Sequence, residues 1–165
     1  DYAGDYFHFN EANFGGAKAN LYVTRTVNQN VKKEGGKWVK TVTVDFNNPE
    51  PNDGWLNGPY RSYIRVLAPS DSQLISIEGG QAEVPQESYF DDIMNKQVFA
   101  AFNITKPEDS SRLVFKYELP DTVMQDGVYN LLVQKQPGKN GPEYTVTARG
   151  KTEKFTLDTD KELQF

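Results

Sequence analysis

Leu21-Tyr22-Val23-Thr24-Arg25-Thr26-Val27, then Glu34-Gly35-Gly36, then Trp38, Val42, Val44 and Phe46 alternating with Thr41, Thr43 and Asp45, is the stretch that decides the fold. Successive side chains of a strand point to opposite faces, so a period of two marks a strand with one dry and one wet face. Paired glycines between two such runs supply the backbone of a tight turn. The segment therefore reads as an antiparallel hairpin with one face on a core.

The same pattern continues outward from this hairpin. Tyr60, Ser62, Ile64, Val66 and Ala68 fall on one face of a strand, and Leu74 to Ile77 make a short one closed by Gly79-Gly80. Val98, Ala100, Phe102 and Ile104 are expected to share a face. Leu113, Phe115, Tyr117 and Leu119 follow, then Tyr129, Leu131 and Val133, then Tyr144, Val146 and Ala148, with Lys151 to Leu157 pairing back across Arg149-Gly150. Residues 81–95 are weakly patterned and are expected to hold a short helical turn around Tyr89 to Met94. Roughly nine or ten strands at short spacing, with no helix of useful length, predict an all-β chain. Clean alternation buries one face of each sheet, so the expected architecture is an antiparallel two-sheet β-sandwich, Ig-like or jelly-roll-like.

The chain has 165 residues, which suits one domain over 1–165. Residues 1–20 are expected to be an extended N-terminal arm or the remnant of a preceding domain, since the chain begins abruptly at Asp1 and reads as an excised module. Aromatic residues, 13% of the chain, supply core area that the modest hydrophobic share of 37% would not. A net charge of -5 with no Lys/Arg cluster argues against nucleic acid and against an anionic membrane surface as partners. Without cysteine there is no disulfide framework and no thiolate metal site. No apolar run is long enough to span a membrane as a helix.

Catalytic constellations are sparse. A Ser–His–acid arrangement needs a base, and the one histidine, His8, lies near the chain end with no Gly-x-Ser-x-Gly elbow elsewhere. Asp91-Asp92 and Glu108-Asp109 are adjacent acids in loops, where neighbouring side chains diverge and read as solvated charge. Gly15-Gly16 before Lys18 runs into a strand rather than a helix, so it reads as a turn and not as a phosphate cradle. Asn103-Ile104-Thr105 fits the N-glycosylation pattern by chance at a strand end. Enzyme activity is the least expected class; no catalytic residue, no metal site and no cofactor is assigned. One covalent idea is a Lys–Asn isopeptide staple joining Lys18 to Asn130 with Glu118 as the nearby acid.

The loop Asn47 to Pro59 is long for a compact domain, and such loops tend to carry function. Asn47, Asn48, Glu50, Asn52 and Asp53 are oxygen donors of the kind calcium takes, but Pro49 and Pro51 break any EF-hand spacing and turn chemistry explains the composition. Trp55, with Tyr60 close behind, is a candidate platform for a sugar or an aromatic partner. The competing expectation is that Trp55 folds back and caps the end of the sandwich.

Four segments in order resemble the DUF4012 family of uncharacterised bacterial envelope proteins, in its C-terminal part. They are Asn13-Phe14-Gly15-Gly16-Ala17-Lys18 leading to Val23, Gly58-Pro59-Tyr60-Arg61-Ser62-Tyr63-Ile64-Arg65-Val66, Leu113-Val114-Phe115-Lys116-Tyr117-Glu118-Leu119-Pro120, and Gln134-Lys135-Gln136-Pro137-Gly138. The resemblance implies a membrane-anchored protein with a large part outside the cell, and it carries over no catalytic residue. The expected role is that of an extracellular structural or interaction module, with neighbouring domains or other envelope proteins as partners. The alternative is a carbohydrate-binding module that takes cell-wall glycan on Trp55 and Tyr60.

Overall fold

Val27, Gln29 and Val31 point inward from β2 (Thr24–Glu34), and Lys40, Val42, Val44, Phe46 and Asn48 point inward from β3 (Lys37–Asn48). The two strands pair antiparallel from Thr24↔Asn47 to Glu34↔Lys37 across Gly35 and Gly36, both at positive φ, as the glycine turn predicts. The structure is a computed structural model and describes residues 2–15 and 18–165.

The other strands among the described residues are β1 (Asp5–Asn13), β4 (Tyr60–Pro69), β5 (Gln73–Gly79), β6 (Glu87–Asp91), β7 (Lys96–Thr105), β8 (Asp109–Leu119), β9 (Met124–Gln125), β10 (Val128–Gln134), β11 (Glu143–Ala148), β12 (Lys151–Thr156) and β13 (Lys161–Gln164). One sheet runs β13-β10-β1-β4-β7-β6, with β9 beside β10; the other runs β12-β11-β2-β3-β8-β5. Their inner faces enclose a single core in which Phe7, Phe46, Phe99, Phe115, Leu113 and Leu131 are fully buried.

Several expectations need correction. Among the described residues there are thirteen strands rather than nine or ten. The sandwich is not wholly antiparallel: β1 runs parallel to β10, and β11 parallel to β2. The helical turn expected near Tyr89 is the edge strand β6 followed by a turn at 92–95. On β7 the core face is Phe99, Ala101, Asn103 and Thr105, opposite Val66, Ile64, Ser62 and Tyr60 of β4, so Val98, Ala100 and Phe102 lie on the outer side. Residues 5–13 lie between β10 and β4 in the middle of the first sheet.

The register sorts the connections by end. The segments 14–23, 49–59, 106–108, 135–142 and 157–160 leave from one end of the sandwich, and the tight turns 35–36, 70–72, 92–95 and 149–150 from the other. Long, polar connections gathered at one end of a rigid frame are where binding groups concentrate.

Candidate functional site

The 49–59 loop is held by its own side chains. Asp53 Oδ1 accepts the backbone N–H groups of Trp55 (2.9 Å), Leu56 (2.8 Å) and Asn57 (2.8 Å), and Asn52 Oδ1 accepts that of Gly54 (2.8 Å). These donors pull the Asp53 carboxyl below its ordinary range. The base of the loop is locked by Asn57, which is buried. Its amide donates to the carbonyls of Glu50 (2.9 Å) and Pro51 (3.0 Å) and exchanges hydrogen bonds with Asn48. Trp55 does not fold back onto the sandwich. It stands 83% exposed on this braced loop.

Exposing an indole forfeits roughly the 1.5–3 kcal/mol that burying a large apolar side chain returns. The hydrogen bonds of Asp53 and Asn57 fix the backbone that presents it, so the exposed ring is preorganised rather than trailing on a loose segment.

Tyr60, expected beside Trp55 as part of the platform, is fully buried. It begins β4 on the core side, and its hydroxyl donates to Glu11 Oε1. The same oxygen accepts from Arg25 Nε (3.0 Å) and Nη2 (2.8 Å), while the guanidinium lies over the Tyr60 ring at 5.4 Å. Tyr60 thus orients an ion pair and has no surface to offer a ligand.

That ion pair lies in a cleft of about 650 Å³ at the loop-bearing end, between the 135–142 segment and the start of β2. Phe9, Leu21, Tyr144 and Leu157 give the cleft apolar walls; Lys135 and Gln136 add polar groups. The Gln136 side chain pairs with both backbone groups of one β1 residue, its Oε1 accepting from Glu11 N (2.9 Å) and its Nε2 donating to Glu11 O (3.1 Å). A cleft of this size with a few placed polar groups is the usual form of a small-ligand site.

The remaining sequence candidates are scattered. His8 lies half-buried on the outer face of β1 with Nδ1 3.0 Å from the Gln134 carbonyl oxygen, and burial lowers its pKa. Asp91 and Asp109 each bond nearby backbone N–H groups. Of the calcium-type donors, Asn52 and Asp53 accept loop N–H groups and Asn48 pairs with Asn57. Gly15 donates to Asn13 Oδ1, and Gly16 lies outside the described residues. Asn103 is buried, its amide bonding Thr105 Oγ1 and Ser111 Oγ, so it offers no glycan acceptor. Lys18, Asn130 and Glu118 are not brought together. Lys18 is exposed, Asn130 accepts from Gln164, and Glu118 pairs with Lys37.

Sequence reasoning passed over Glu11, Arg25 and Gln136. The available signal was Glu11 continuing the odd-numbered series Asp5, Phe7, Phe9, whose members all face the core.

No family model matches the chain, and no curated protein matches it. Among solved structures it is similar to one described as a "putative nutrient binding protein" from Legionella pneumophila subsp. pneumophila str. Philadelphia 1, with 10% identity, 98% of this chain and 71% of that chain covered, and a TM-score of 0.44. A likeness this remote assigns neither family nor ligand.

Proposed function

We propose that this chain is a non-catalytic binding module of a bacterial cell-surface protein, and that its loop-bearing end takes a carbohydrate with Trp55 as the stacking platform. The single observation that carries the reading is the indole, 83% exposed on a loop that Asp53 and Asn57 brace by hydrogen bonds. A flat aromatic face suits the apolar face of a sugar ring, and the indole N–H adds one donor. The cleft around Arg25 lies at the same end and supplies polar groups for a longer ligand. The surface location is proposed on the resemblance of the four segments alone.

The test is binding of the purified chain to cell-wall polysaccharide and a broad glycan panel, with Trp55→Ala alongside. The expected result is saturable binding that weakens at least about tenfold in the variant, about 1.4 kcal/mol, at unchanged melting temperature. Absence of binding, or binding indifferent to Trp55, overturns the proposal. A second reading, docking to a neighbouring domain, is favoured by the exposed Tyr89, Phe90, Ile93 and Met94 on and beside the edge strand β6.

A further inference from the structure

Asp5 of β1 and Lys40 of β3 meet inside the core, each with a fully buried side chain, and Lys40 Nζ lies 2.8 Å from Asp5 Oδ2. The two residues belong to opposite sheets. As ions they are poorly served. Among the described residues, Asp5 is the only hydrogen-bond partner of the Lys40 ammonium, whose other side faces the Phe7 ring at 4.9 Å. Asp5 Oδ1 has no hydrogen-bond partner among the described residues. Desolvating two charges costs several kcal/mol each unless their remaining donors and acceptors are satisfied, and here they are not.

The geometry points to a covalent answer: Lys40 and Asp5 condense to an intramolecular isopeptide bond that staples the two sheets. Transfer of the shared proton along the hydrogen bond gives a neutral amine facing a neutral carboxylic acid. The Nζ lone pair adds to Asp5 Cγ, and the C–OH bond breaks. The hydroxyl leaves as water with a proton from nitrogen, so carboxylate plus ammonium becomes amide plus water, with no oxidant or co-reactant. Burial pushes the Lys40 amine towards its neutral, nucleophilic form, with Asp5 opposing. The Tyr129 hydroxyl donates to Asp5 Oδ2 and polarises the carboxyl under attack, and the Tyr117 hydroxyl, buried without a partner among the described residues, faces the same charge. The amide carries no net charge and asks for fewer partners than the ion pair; Oδ2, which takes the shared proton, is the oxygen that leaves, and Oδ1 stays as the amide oxygen. The inference is independent of the carbohydrate reading.

The experiment is the intact mass of the purified, folded chain, followed by tryptic peptide mapping. The expected mass is one water below the sequence mass. Because a joined Lys40 resists trypsin, the expected digest contains a branched species linking residues 1–18 to residues 38–61. Lys40→Met, with Asp5→Leu to keep the core neutral, restores the mass expected for its sequence. A wild-type mass equal to the sequence mass after prolonged incubation overturns the proposal. So does a water loss that persists in the double variant or that maps to the Asp53-Gly54 or Asp126-Gly127 pairs, where a succinimide would form instead.

Discussion

Arg25 reaches Glu11 with two of its nitrogens on one carboxylate oxygen, at 3.0 and 2.8 Å, across the gap between the second sheet and the first. Glu11 is almost wholly buried and Arg25 nearly so. Removing the cation leaves a buried carboxylate with only the Tyr60 hydroxyl against the same oxygen. Arg25→Ala should therefore cost about 3–5 kcal/mol in urea unfolding. Lys37→Ala, which breaks the exposed pair with Glu118, should leave the urea midpoint unchanged. Equal effects of the two substitutions would show that the Glu11 pair is not structurally special.

The order of the Trp55 loop should depend on acid. Asp53 is held below its ordinary value of 3.8, chiefly by the N–H groups of Trp55 and Asn57. A carboxyl depressed in the folded state stabilises above its unfolded pKa, and that contribution is lost as pH falls through the folded one. The loop is therefore expected to stay fixed at neutral pH and to loosen only below the ordinary value. Hydrogen exchange at the amides of 55–57 should accelerate in that range while the strands stay protected. Asp53→Ala should show the faster exchange already at neutral pH.

The hairpin was legible because its alternation is local and its turn is glycine. β1 was obscured because Asp5 and Glu11 occupy core-facing positions where an apolar residue is the norm, so Phe7 and Phe9 did not announce a strand. β6 buries none of its side chains fully and pairs only on one side, which leaves no period to read. The parallel pairings join segments far apart in the chain, and only the folded register shows that Asp5 lies beside Leu131 or Thr26 beside Glu143. Trp55 was singled out by its loop; whether it pointed out or in rested on the Asp53 and Asn57 bonds, which composition does not encode. Tyr60 was misplaced for the converse reason: it follows the loop in sequence but opens a core strand.

Gln29 offers a stabilising substitution. It faces the core from β2, opposite Val42 of β3 and Val146 of β11, and neither atom of its amide has a partner among the described residues. A buried amide left unsatisfied costs about 1–3 kcal/mol. Gln29→Leu, similar in size, should recover part of that and raise the urea midpoint. A fall in stability would show that the buried amide is not a cost to the fold.

The 135–142 segment is seated against residue 157 by a glycine that has no room for a side chain. A Cβ on Gly141 would sit 1.8 Å from the Leu157 carbonyl oxygen, while Leu157 N bonds the Pro142 carbonyl at 3.2 Å. Gly141→Ala must push the segment away, at a cost of about 1–3 kcal/mol by overpacking. Gln136, on the same segment, should then lose its hold on Glu11, so the Glu11 amide should exchange faster with solvent. Gly138→Ala is the comparison. Its Cβ meets nothing within 4 Å, and its cost comes from a left-handed φ of 74°, about 1–2 kcal/mol. It should lower stability without exposing the Glu11 amide. If both substitutions leave Glu11 protected, the wall of the cleft does not depend on the contact between Gly141 and Leu157.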